Sequence, residues 1–117
     1  MVSADDEVFI AGSQAAEEVQ RAIEAALGEK FEPSADADPV PALGVGRTHV
    51  FFHSHHDFED DTDLPLTQYQ YWVSVHDTER DEQRQLAVAQ RVFDAARAAG
   101  WKTLLTHDLQ GVIARHP

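Results

Sequence analysis

Histidines and carboxylates crowd one short stretch of the chain, His53-Ser54-His55-His56-Asp57, followed by Glu59, Asp60, Asp61 and Asp63. On a strand, residues two apart point to the same side. His53 and His55 can therefore reach one divalent ion, with a carboxylate such as Asp57, or His49, as a third ligand. Imidazole combined with carboxylate suits zinc or nickel. The competing reading is a strand that runs into a solvated acidic turn, and no fixed ligand spacing separates the two. A calcium loop is not matched, because no glycine follows the acidic positions and no glutamate closes a twelve-residue loop.

Other arrangements point away from catalysis. His76-Asp77 and His107-Asp108 repeat a dipeptide at strand ends, but adjacent strand residues point apart and no serine sits in a nucleophile-elbow motif. Strand-end polarity and helix capping account for both pairs. Gly44-Val45-Gly46 lacks the third glycine, the lysine and the following helix of a phosphate loop. With 21 acidic residues, no carboxylate pair is singled out for acid–base work. The absence of cysteine removes disulfides and thiol chemistry. A noncatalytic protein is the expectation.

Twenty-one acidic residues against nine Lys and Arg leave a formal charge of -12. Such a surface repels phosphate backbones and anionic lipid and attracts basic partners, so neither nucleic acid nor membrane is expected as a partner. The acidic N-terminus is unlike a secretory signal, and no apolar run approaches membrane-spanning length. Cytoplasmic localisation is the default expectation.

The elements that must position these residues follow from periodicity. Glu7–Ala11 reads as a strand. Gln14–Leu27 carries apolar residues at three- and four-residue spacing, with Ser13 as a candidate N-cap and Gly28 where a left-handed C-cap belongs. Lys30–Glu32 offers at most a stub of strand, and the prolines and glycines of 33–47 then predict a long loop. Thr48–His56 and Gln68–His76 read as an antiparallel hairpin. Thr78 and Asp81 fit a capping box for a second helix striped by Leu86, Ala89, Val92, Phe93 and Ala96 and ended by Gly100. Trp101–Thr106 is the last predicted strand, with a helical turn from Asp108 through Ile113.

At 117 residues, one α+β domain spanning 1–117 is expected. The order β-α-β-β-α-β matches the ferredoxin-like split βαβ plan, with two helices on one face of a mostly antiparallel sheet. The helices cover one face only. With Val73 and Val75 assigned to the helix side, together with Phe51, the opposite face is expected to hold Val50, Phe52 and Trp72 as an aromatic patch suited to an interface. The loop or the C-terminal turn folding across that patch is the alternative.

The stretches Leu64-Pro65-Leu66-Thr67-Gln68-Tyr69-Gln70-Tyr71, Ala89-Gln90-Arg91-Val92-Phe93 and Trp101-Lys102-Thr103-Leu104-Leu105 resemble small uncharacterised actinobacterial proteins, some of them grouped with immunity-type proteins of toxin systems. The resemblance spans roughly the C-terminal half. It implies a cytoplasmic protein that binds and neutralises a cognate toxin, and it carries no functional residue with it. The leading expectation is thus a noncatalytic, immunity-like protein-binding domain that engages a basic protein partner, or its own copy, through Val50, Phe52 and Trp72 and the acidic Asp60 and Asp61. The second is a metal-binding or metal-dependent domain centred on His53, His55 and Asp57.

Overall fold

The computed structural model describes residues 5–12, 14–32, 40–56, 58–60, 65–108 and 111–116. Its strands are β1 (Asp6–Ile10), β2 (Ala42–Val45), β3 (Thr48–His53), β4 (Tyr71–Asp77), β5 (Thr103–His107) and β6 (Gly111–His116), and its helices are α1 (Ala16–Leu27) and α2 (Glu82–Ala98). The fold is α+β, with two helices packed on a six-stranded antiparallel sheet of order β2-β3-β4-β1-β5-β6. Among the described residues, no helix is long and apolar enough to cross a membrane.

Local chemistry closes α1 and opens α2, whereas Ala15, the residue before α1, makes no side-chain capping bond. The periodic stripe of α1 buries Val19, Ile23 and Leu27, and Gly28 closes it at φ +72°, a left-handed conformation that glycine adopts without Cβ strain. The candidate cap Ser13 lies outside the described residues. In α2 the cap is Asp81, whose carboxylate accepts from the Arg84 amide at 3.0 Å. Thr78 is not the cap, since its hydroxyl donates to the Arg47 carbonyl. Val88, Ala89, Val92, Phe93 and Ala96 form the buried stripe of α2. Both stripes meet Val8, Ile10, Val50, Phe52, Tyr71, Val73, Val75 and Leu105 of the sheet in one core.

Two predicted irregular segments are strands. Within the expected loop 33–47, Ala42–Val45 forms β2, with Leu43 buried opposite Val50. A two-residue turn, Gly46-Arg47, joins it to β3, and Gly46 at φ +59° supplies the positive φ that tight hairpins need. The helical turn expected from Asp108 is instead β6, paired with β5. Asp108 itself takes φ +53°, and the β-branched pair Val112-Ile113 favours an extended chain.

The hairpin register corrects the expected faces. Val50 pairs with Val75 and Phe52 with Val73, while His49 faces His76, Phe51 faces Ser74 and His53 faces Trp72. Cross-strand partners share a face. Val50 and Phe52, only 0% and 1% exposed, therefore lie under the helices and present no surface to a partner. Phe51 and Trp72 are on the outer face. A shift of one residue in register moves every side chain to the other side, which is why the expected patch divides.

Candidate functional site

Six side chains of β3 and β4 make up the outer face of the hairpin, namely His49, Phe51 and His53 opposite His76, Ser74 and Trp72. The neighbouring outer positions on β2, opposite His49 and Phe51, are Gly44 and Ala42. These small residues leave space, and a Cβ placed on Gly44 would meet nothing within 4 Å. The result is an open groove of about 780 Å³. Phe51, His53 and Trp72 line its floor, and Asp5, Glu29 and Glu32 are among the residues at its margin.

His53 is held flat on Trp72, with ring centroids 3.9 Å apart and planes 16° from parallel. Its Nε2 lies 3.4 Å from the Ser74 hydroxyl. Burial, and to a lesser extent the neighbouring His55, pushes the His53 pKa down, so the ring is neutral at pH 7. A neutral imidazole set on an indole and beside a hydroxyl gives the groove a flat, uncharged lining here. Phe58 meets the Trp72 ring edge-on at 4.8 Å. The buried indole Nε1 of Trp72 has no hydrogen-bond partner among the described residues.

Part of the outer face is covered by the chain itself. Phe58, Leu66 and Tyr69, from the segment between β3 and β4, pack on Phe9, Ala11 and Leu104 as a second, smaller core. His56 fastens this cover by donating from Nε2 to the Tyr69 carbonyl at 2.6 Å. Asp60 also serves the cover: its carboxylate accepts from both the amide (2.8 Å) and the hydroxyl (2.7 Å) of Thr67, and those bonds lower its pKa. Among the described residues this cover includes neither Phe51 nor His49, so one half of the outer face is covered and the other borders the groove.

Of the remaining predicted site residues, only His55 is described. His55 is exposed in the bend after β3, where its Nδ1 is 3.5 Å from the Ser54 hydroxyl. Asp57 and Asp61 lie outside the described residues. Among the described residues, no three His, Asp or Glu side chains converge as an ion would require.

A second polar concentration sits where β4 meets α2. Asp77 is fully buried and accepts from Thr48 Oγ1 (2.8 Å), Arg84 Nε (2.7 Å) and Nη2 (2.8 Å), and the amides of Glu79 and Asp81 (both 3.0 Å). The Arg84 guanidinium foremost holds its carboxyl well below the usual carboxylate range. Gln85 extends the network: its Oε1 accepts from the Asp77 amide and its Nε2 donates to Asp6, which in turn accepts from His107 Nδ1 at 2.6 Å. This region is scaffolding. Asp77 and Asp6 are buried with their donors in place, while Arg84 and His107 reach them from the surface.

The His-Asp dipeptides divide accordingly. His76 donates to Asp5 at 2.8 Å and His107 to Asp6, each across a strand pair and neither to its sequence neighbour. The residues that sequence reasoning passed over are Phe51, Ser74 and the Asp5–His76 pair. A signal was present, since placing His49 and His53 outward together puts Val50 and Phe52 against Val75 and Val73. Comparison with protein-family models, with curated proteins and with solved structures finds no significant match.

Proposed function

We propose that the chain is a noncatalytic, immunity-like binding domain whose recognition surface is the open half of the outer sheet face. Supporting the scaffold part of this reading, β3-β4-β1-β5 with α1 and α2 follow the ferredoxin-like split βαβ order, to which β2 and β6 add one strand at each edge. In such a plan the helices leave one sheet face for other use. The observation that carries the functional part is the groove of about 780 Å³ over Phe51, His53 and Trp72. Its floor is aromatic, its margin is mainly acidic, and the chain as a whole carries -12. Aromatic anchors inside a polar rim are the composition of protein interfaces, and acidic charge speeds encounter with a basic protein.

The test uses the intact protein as bait in parallel with Phe51→Glu, which places a charge on the groove floor and leaves the helix-side core untouched. A basic protein retained by the wild type, released by the variant and rebinding as a purified component supports the reading. Equal retention by both baits overturns it.

A further inference from the structure

We infer that the groove takes an arginine side chain from a basic partner segment, with the guanidinium lying on the Phe51 ring and its charge met by the carboxylates at the margin. The inference rests on the binding reading above and narrows it to one anchor chemistry.

Four features of the groove favour this occupant. Its lining contains Asp5, Glu29 and Glu32 against the single Lys30, so it is negative before the rest of the chain is counted. His53 adds no positive charge at neutral pH, because burial holds its pKa down. The floor is flat and aromatic: the molecule already lays one planar ring, His53, on Trp72, and the adjoining Phe51 is half-buried with its outer side toward the groove. A guanidinium is planar, weakly hydrated and able to stack on an aromatic ring while donating in its own plane to carboxylates. A lysine ammonium is a compact, strongly hydrated point charge that would satisfy the margin but make little use of the floor. Gly44 and Ala42 provide the depth that a long side chain needs.

The chain has two tryptophans, so Trp101→Phe leaves Trp72, on the groove floor, as the sole tryptophan, excited selectively over the tyrosines. This protein is titrated at about 150 mM salt, where long-range attraction by the -12 charge is screened, with acetyl-Gly-Arg-Gly-amide and with its lysine and citrulline counterparts. Citrulline keeps the shape and removes the charge. The expected result is a saturable change in Trp72 emission with the arginine peptide. Binding should be weaker by about tenfold with citrulline and several-fold with lysine, and lost in Phe51→Ala. Gly44→Leu, which fills the groove at a position with open space above it, should abolish the response in a protein of unchanged circular dichroism.

Equal binding of arginine and lysine peptides, both dependent on Phe51, overturns the arginine assignment and leaves the outer-face reading in place. Citrulline binding as well as arginine overturns the charge argument. Binding that survives both Phe51→Ala and Gly44→Leu overturns the arginine site and the outer-face reading together. No response to any peptide, alongside a partner whose capture depends on Phe51, removes the arginine anchor alone.

Discussion

The Asp77 end of the sheet and the open half of its outer face are both rich in polar and titratable groups, yet they are built in opposite ways. Around Asp77 every acceptor has found its donor, from Thr48, Arg84 and two backbone amides, and the network runs on through Gln85 to Asp6 and His107. On the outer face His53 has a ring and a hydroxyl at 3.4 Å, and Phe51 borders the groove. Saturated polar groups hold a fold together, whereas unsaturated ones beside a groove are what a ligand can use. Density of charged residues does not tell the two apart; hydrogen-bond accounting does.

Adjacent phenylalanines give the largest contrast. Phe52→Ala opens a cavity in the main core and is expected to cost about 3–5 kcal/mol of unfolding free energy. Phe51→Ala, one residue away on the other face, is expected to cost roughly 1 kcal/mol or less and to remove binding. Urea unfolding followed by circular dichroism measures both. Similar losses for the two variants would mean that the outer face is as much core as the inner one.

Acid should act on the Asp77 end. A carboxyl whose folded pKa lies below its unfolded value contributes stability that is present above the unfolded value of about 4 and is lost as pH falls toward the folded one. The unfolding midpoint is therefore expected to drop steeply below pH ~4, and Asp77→Asn should make that drop shallower while lowering the midpoint at pH 7. A smaller effect comes from Thr48→Val, which keeps the shape and removes one donor to Asp77, at about 1 kcal/mol.

The two regions also carry histidines of opposite sign. His107 is raised, chiefly by its bond to Asp6, so its contribution is complete below the unfolded pKa near 6.5 and is lost as pH rises through the folded value. Its side chain is 43% exposed, and solvent screening limits the contribution to roughly 0.5 kcal/mol. His53 is lowered, so protonation of the unfolded chain favours unfolding as pH falls from 6.5 toward the folded value. Imidazole proton shifts followed by NMR should titrate above 6.5 for His107 and below it for His53. The same order in both would erase the electrostatic difference between the regions.

Much of the scaffold was legible because it rests on local chemistry. The stripes of α1 and α2, Gly28 as a left-handed cap and the β-rich run THVFFH can all be read within one window of sequence. The register of β3 against β4 could not, because Thr48-His49-Val50-Phe51-Phe52-His53 is apolar on both sides and the decision lies with long-range partners. Both helices compete for one face, and Val50 with Phe52 complements Val73 and Val75 better than His49 with His53 does. β2 was hidden by the prolines before it, and β6 by an aspartate that reads as a helix cap until its φ of +53° is known. Asp77 was invisible as a hub, since its partners Thr48 and Arg84 lie 29 and 7 residues away.

Amide shift mapping by NMR offers the most direct test of recognition through the outer face. On titration with the arginine peptide at about 150 mM salt, shifts confined to residues 42–53 and 71–76, together with those around Glu29 and Glu32, are the predicted result. Shifts centred on the acidic first turn of α1, at Glu17 and Glu18, or spread evenly over the carboxylates, would contradict it and reduce the groove to a feature of shape alone.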